Sequence, residues 1–218
     1  RIERLMEAFA PEDGEGAVVS LVRKGGVYLI TGGSGRLGKI FADCLASRFQ
    51  AKVALCGTSA ETFHQSYVEN LRKRGADAAY FRADLSDPSQ VEDLLQRVRA
   101  RFGPINGILH CAGVVRDSLI VNKSLEEAAA VVAPKVRGTI HLDRFTREDP
   151  LDFFALFSST AAIVGNRGQS DYAYANAFMD GFAHMRENLR KQSLRRGRAI
   201  SVNWPLGRDG GMRVDAGF

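Results

Sequence analysis

Residues 27–38 read VYLITGGSGRLG. VYLIT (27–31) is an apolar run of strand length, and it passes directly into glycines at 32, 33, 35 and 38, with a helical pattern opening at Arg36. Gly33, Gly35 and Gly38 have the spacing G-x-G-x-x-G between a strand and a helix. Glycines let the backbone turn sharply and come close to a pyrophosphate, and the helix N-terminus offers unpaired N–H donors. The stretch predicts a dinucleotide site built from Gly32, Gly33, Ser34, Gly35, Arg36, Leu37 and Gly38. A purely structural tight turn is the competing interpretation.

Around this motif the pattern alternates. Strands are predicted at 27–31, 52–56, 78–83, 105–113, 153–159 and 199–204, and helices at 36–47, 60–73, 88–102, 124–145 (bent near Pro134) and 169–192. Ser86 and Asp87 open the third helix. Such alternation predicts an α/β fold: a Rossmann-like, doubly wound parallel sheet with helices on both faces. Residues 1–24 read as a connector with a turn at PEDGEG (11–16) and a possible short strand at 17–22. Residues 25–218 are expected to form the α/β unit itself.

The 218 residues suffice for one such domain, and 45% hydrophobic with 25% charged content is ordinary for a soluble globular protein. The net charge of +5 is mild. No apolar run approaches the ~20 residues of a membrane-spanning helix. There is no nucleic-acid motif and no cysteine or histidine spacing suited to a metal. Cys44, Cys56 and Cys111 sit in apolar segments, as expected of thiols in a reducing cytoplasm. His64, His141 and His184 read as isolated helix residues, and Trp204 packs near the cofactor or in the core. The basic run 190–198 is either a docking patch for an acidic partner or a solvated helix end. The chain begins at Arg1 without a methionine, as a piece of a longer protein would.

The second strand ends Cys56-Gly57-Thr58-Ser59, without the carboxylate that would hold a ribose 2′-hydroxyl. Its hydroxyls favour NADP over NAD, although Ser59 would equally cap the next helix. Asp84, after the third strand, lies where an adenine could rest, or caps a loop. Ser159 ends the fifth strand, Tyr172 follows thirteen residues later in the first turn of a helix, and Asn176 lies four further on. A phenol and a hydroxyl at the carboxyl edge of a parallel sheet make a proton-delivery pair. A phenol with a pKa of ~10 needs a nearby cation to exchange protons easily at neutral pH. Lys135 is the candidate, and by spacing alone it is also an ordinary surface lysine.

TGGSGRLG, ADLSD (83–87), HCAGV (110–114), APKVRGT (133–139), FSSTAAIVGNRGQSDYAYANAFMD (157–180) and SVNWPLGRDGGM (201–212) together resemble the ketoreductase domain of a modular polyketide synthase, a branch of the short-chain dehydrogenase/reductase superfamily. The resemblance covers residues 25–212. It implies NADPH-dependent reduction of a β-ketoacyl thioester on an acyl carrier protein, among neighbouring synthase domains. Tyr172 would be the proton donor, Ser159 a second hydrogen-bond donor, Lys135 the cation and Asn176 its partner or the holder of a relay water. Thr58, Ser59, Asp84, Leu85, Cys111, Ala112 and Gly113 would line the cofactor. Val115-Arg116-Asp117 aligns with a stereochemical marker whose surviving Asp117 implies a B-type enzyme and a D-3-hydroxyacyl product. Otherwise Asp117 is a loop acid capping a short helix. The family's arginine before Ser59 is replaced by Thr58, with Arg36 or Arg82 as substitutes. A substrate-covering lid would follow Met212. A freestanding reductase of a small ketone and a non-reducing scaffold are the alternative functions.

Overall fold

The computed structural model describes residues 21–205. The lid expected after Met212 and most of the 17–22 strand lie outside that range. Leu21 and Val22 are irregular backbone packed on the core. Six strands form one parallel sheet: β1 (Val27–Thr31), β2 (Lys52–Gly57), β3 (Asp77–Arg82), β4 (Gly107–His110), β5 (Phe153–Ser159) and β6 (Arg198–Trp204), in the order β3-β2-β1-β4-β5-β6. The order reverses between β1 and β4, so a crevice opens beyond their carboxyl ends.

Alternate residues of β1 feed two cores. Val27 and Leu29 join Val91, Leu94, Leu95, Val98 and Phe102 of α3 (Pro88–Phe102) with Leu142 of α4 (Leu125–Phe145). Tyr28 and Ile30 join Ala42 and Leu45 of α1 (Arg36–Phe49) and Val68 and Leu71 of α2 (Gln65–Lys73). A strand buried on both faces reads as a continuous apolar run, which is why VYLIT carries no polar alternation. Asp87 caps α3 by accepting from the backbone N–H groups of Ser89 and Gln90, with Pro88 in its first turn. Ser124 and Glu127 form a capping box at the start of α4, which continues through Pro134 to Phe145.

Two expected elements differ and one appears that was not expected. The helix predicted over 60–73 starts as a 3₁₀ turn (Glu61–His64), because Ser59 spends its hydroxyl on side chains rather than on capping. A short helix, α5 (Ala161–Val164), follows β5 before α6 (Ser170–Lys191). The strand expected over 105–113 is confined to Gly107–His110. Much of the basic run is engaged. Arg195 pairs with Asp143 of α4, which also holds the buried Arg186 of α6, and Arg190 pairs with Glu187.

The register Tyr28↔Gly107↔Phe153 lets the rings of the two flanking strands stack across the central one, centroids 5.7 Å apart and planes within 10°. A Cβ at Gly107 would lie 2.5 Å from Phe153 Cζ. Gly107→Ala is expected to overpack this core and lose about 1–3 kcal/mol. Gly181→Ala, in α6 with no atom near its added methyl, is expected to gain about 0.5–1 kcal/mol. Urea midpoints of the two variants should move in opposite directions, and a shared sign would contradict the packing assigned to β4.

Candidate active site

The side chains of the site gather at the carboxyl edge of the sheet, from strand ends and from α4 and α6. Thr31 ends β1 and is followed by the glycine turn, with Gly32 at a φ of +63°. A Cβ on Gly32 would fall 2.8 Å from the Ala112 backbone nitrogen, and one on Gly38 would fall 2.6 Å from the Gly32 carbonyl oxygen. Only glycine lets β1, the first turn of α1 and the residues after β4 meet so closely. Gly35 opens α1 with no side-chain cap, so the first-turn amide donors face the crevice. That cradle fits a pyrophosphate. Ser34 is half-buried, Arg36 is exposed and Leu37 packs on the α1–α2 core.

The residues expected to line the cofactor divide. Cys111 and Ala112 are half-buried and Gly113 is exposed at the crevice, tied to β1 through the Cys111 N–H, which donates to Thr31 O. Burial pushes the Cys111 thiol up to about 12. Asp84 turns its carboxylate to the backbone N–H and hydroxyl of Ser86, as a loop-capping acid does. The Leu85 side chain is buried in the core, while its carbonyl accepts from His141 Nδ1. Thr58 is exposed, and Ser59 Oγ lies 2.6 Å from His64 Nε2, so His64 is not isolated.

Lys135 is the centre of the site. It is buried, not a surface lysine, and its ammonium donates to the Phe157 carbonyl of β5 at 2.9 Å. Its Cε is so close to Gly113 that a Cβ there would stand 2.7 Å away. Burial lowers its pKa to about 8. The ammonium sits 5.8 Å from the centre of the Tyr172 ring, over its face. Tyr172 is buried beside Ser159 and Asn176, and hydrogen bonding from both favours the phenolate, but burial outweighs it and the phenol pKa is raised. The depressed phenol expected from the sequence is thus absent, because desolvation of the hydroxyl outweighs the hydrogen bonds that favour the phenolate. Asn176 is fully buried. Its Nδ2 donates to the Tyr172 carbonyl, and its Oδ1 has no partner among the described residues. Below Lys135, His110 holds Thr31 Oγ1 through Nδ1 at 2.6 Å, and burial followed by the Lys135 charge drops its pKa to about 3.

Several positioning residues escaped the sequence. Asn203 Nδ2 donates to Ser158 Oγ, the Ser159 carbonyl and Asp180, fixing the end of β5. The Lys123 side chain is almost wholly covered, and its ammonium bridges the Arg116 carbonyl to both oxygens of Asp171, whose Oδ1 also accepts from the Tyr172 N–H. Asp117 is exposed and accepts from Gln169 Nε2, so it does not cap the following short helix. Trp204 pairs in register with Ser159 and is 41% exposed, which places it at the mouth, not in the core. Among the described residues no cluster of three or more His, Cys, Asp or Glu side chains is placed to hold a metal ion, and no helix is long and apolar enough to cross a membrane.

A family model described as the KR domain matches residues 26–209. The chain belongs to the KR, or ketoreductase, domain family. Polyketide synthase PksN of Bacillus subtilis is 47% identical over 192 residues, which are 87% of this chain and 4% of that protein. A ketoreductase domain from the bacillaene assembly line has a TM-score of 0.85 and 45% identity over 89% of this chain and 47% of that one. In fold alone, the KR domain is also similar to a short-chain dehydrogenase from Mycobacterium avium, with a TM-score of 0.80 at 23% identity. The chain spans about half the length of the ketoreductase structure and a small fraction of the synthase.

The buried ammonium makes the KR site costly to the fold. A lysine whose pKa falls from 10.5 to about 8 on folding binds fewer protons in the folded state between those values. Stability therefore rises as pH climbs from about 8 to about 10.5, and below 8 the charge opposes folding by roughly 3 kcal/mol. Lys135→Met removes that cost but leaves the Phe157 carbonyl without its donor, a loss of about 1–2 kcal/mol. The variant is expected to be more stable than the parent by about 1–2 kcal/mol at pH 7, and no more stable at pH 10.5. Urea unfolding at the two pH values measures this, and a destabilised variant at pH 7 would mean the ammonium is fully compensated.

Proposed function

We propose that this KR domain reduces the β-carbonyl of an acyl chain tethered to an acyl carrier protein, using NADPH, within a polyketide synthase of the cytoplasm. The product is a D-3-hydroxyacyl thioester, the B-type outcome. The observation that carries the proposal is the convergence of Tyr172, Ser159 and Asn176 above a buried Lys135, at the edge of the sheet that bears the glycine cradle.

Bound in that cradle, NADPH supplies the hydride. Tyr172, kept protonated by its raised pKa, holds the substrate carbonyl through its hydroxyl and gives up that proton as the oxygen becomes an alkoxide. Ser159 Oγ donates a second hydrogen bond to the same oxygen. The Lys135 ammonium stabilises the phenolate left behind, and its pKa of about 8 suits it to return a proton near neutral pH. Asn176 Oδ1, buried and unpartnered, would hold the water that carries the replacement proton. The B-type assignment draws support from Asp117, which is tied through Gln169 to the start of the catalytic helix, and from the Ser118 N–H, which donates to the Gly168 carbonyl. The loop bearing Asp117 is therefore fixed beside Tyr172, where it would guide the acyl chain to one face of the cofactor.

Tyr172→Phe is expected to lower kcat/KM on a β-ketoacyl thioester by about 10²–10⁴ while leaving the NADPH dissociation constant within about twofold. Turnover near the parent level would remove Tyr172 from the chemistry. Chiral separation of the parent's product should give the D-hydroxy thioester; an L product would overturn the B-type assignment and leave the reductase intact.

A further inference from the structure

The end of β2 offers neither a carboxylate nor an arginine to a ribose, and Thr58 is exposed there. The groups that gather at that point come from further along the chain. Ser59 Oγ lies 2.6 Å from His64 Nε2 and 3.0 Å from the Tyr80 hydroxyl. The His64 and Tyr80 rings are packed with centroids 4.1 Å apart at 34°. Gly57 marks the centre of the cluster: a Cβ there would sit 2.6 Å from the Tyr80 hydroxyl and 3.5 Å from Oγ of Ser34 in the glycine turn. In doubly wound sheets this spot flanks the 2′ position of the adenosine ribose.

We infer that His64 is the residue by which this chain selects a 2′-phosphorylated cofactor: its imidazole takes up a proton as the phosphate binds, and this frees the Ser59 hydroxyl to donate to the phosphate. The inference rests on the NADPH reading proposed above. In the free protein a neutral imidazole accepts the Ser59 hydroxyl proton at Nε2. Once protonated, Nε2–H donates to Ser59 Oγ instead, and the hydroxyl hydrogen turns outward. One proton enters from solvent to form the Nε2–H bond, and no other covalent bond is made or broken.

The surroundings suit a switch of this kind. Burial, and then the charge of Lys39 on α1, lower the His64 pKa, so the free ring is neutral at physiological pH. A 2′-phosphate carries close to two negative charges and reverses the sign of the local field. The Tyr80 ring of β3 presents its π-system to the imidazolium. From α2, Tyr67 is occupied by the Lys39 carbonyl and by Asp43, with the Lys39 ammonium 5.1 Å from the centre of its ring. Within the 3₁₀ turn of His64 itself, Glu61 is turned to Arg97 and to the Arg82 N–H. Lys39 remains as a second cation for the same phosphate.

Isothermal titration of the 218-residue chain with 2′,5′-ADP and with 5′-AMP tests this without turnover. For the parent, 2′,5′-ADP is expected to weaken about fivefold to tenfold between pH 6.5 and 8.5, with uptake approaching one proton per site. 5′-AMP should show neither effect. His64→Gln keeps a hydrogen-bonding atom toward Ser59. It should abolish the uptake, weaken 2′,5′-ADP about tenfold at pH 6.5 and leave 5′-AMP within about twofold. The slope should then flatten or reverse, because a phosphate with a second pKa near 6 gains charge as pH rises. Proton uptake that survives in His64→Gln, or equal loss for both nucleotides, overturns the assignment. If the parent binds 5′-AMP as tightly as 2′,5′-ADP, the nucleotide site stands and His64 does not select. If neither binds, the cofactor reading fails and this inference fails with it.

Discussion

A single buried ammonium organises the carboxyl edge of this sheet. Lys135 projects from α4 across to the Phe157 carbonyl of β5, and the chain around it is shaped to let it in. Gly113 has no Cβ because Lys135 Cε occupies that volume. One turn beyond the lysine, Gly138 lets α4 come down onto Leu85 and His110. Two ionisable neighbours are held uncharged: the His110 imidazole by burial and by the ammonium itself, the Cys111 thiol by burial that exceeds the ammonium's pull. The result is one positive charge in an apolar floor, beneath a neutral phenol. In the mechanism proposed above, such a charge would stabilise the Tyr172 phenolate far more than it would in water. The fold bears the desolvation cost, as the lowered pKa of the lysine records.

The depth of that floor follows from the sheet. Because β1 is buried on both faces, its end lies at the middle of the molecule, and the reversal of strand order beside it opens the crevice where cradle and ammonium meet. This much was legible in the sequence, because it is local. VYLIT could only be a buried strand, the glycine spacing fixed the turn after it, and Ser86 and Asp87 announced the start of α3. Ser159, Tyr172 and Asn176 could be placed together from the end of one strand and the first turns of the next helix.

What stayed hidden depends on distant partners. Whether Lys135 was buried could not be read from its neighbours in sequence, since its acceptor is 22 residues away and the space it fills is left by a glycine on another segment. Ser59 looked like a helix cap, because capping is the commonest use of a serine before a helical pattern. Only the arrival of Tyr80 from β3 shows why it bonds side chains instead, and why the following helix begins with a 3₁₀ turn. The direction of the Tyr172 shift was misread for a related reason. The sequence could supply a cation but not the burial of the hydroxyl, and it is burial that raises the phenol pKa.

The pair Lys123–Asp171 carries the same logic to the substrate side. Its partners are 48 residues apart, and each side chain is almost wholly buried. A buried ion pair repays its desolvation only with excellent geometry and additional hydrogen bonds, and an apolar pair of the same volume often holds a fold as well. Here the extra bonds are specific: the lysine fixes the Arg116 carbonyl, and the aspartate fixes the Tyr172 N–H. An apolar pair would fill the space but would leave the loop free to shift relative to the phenol. The ion pair, the Asp117–Gln169 bond and the Ser118–Gly168 backbone bond join three successive points of that loop to the entrance of α6. The Tyr172 phenol and the loop proposed to guide the substrate are thus tied together, so that the geometry between them would be set before any substrate arrives.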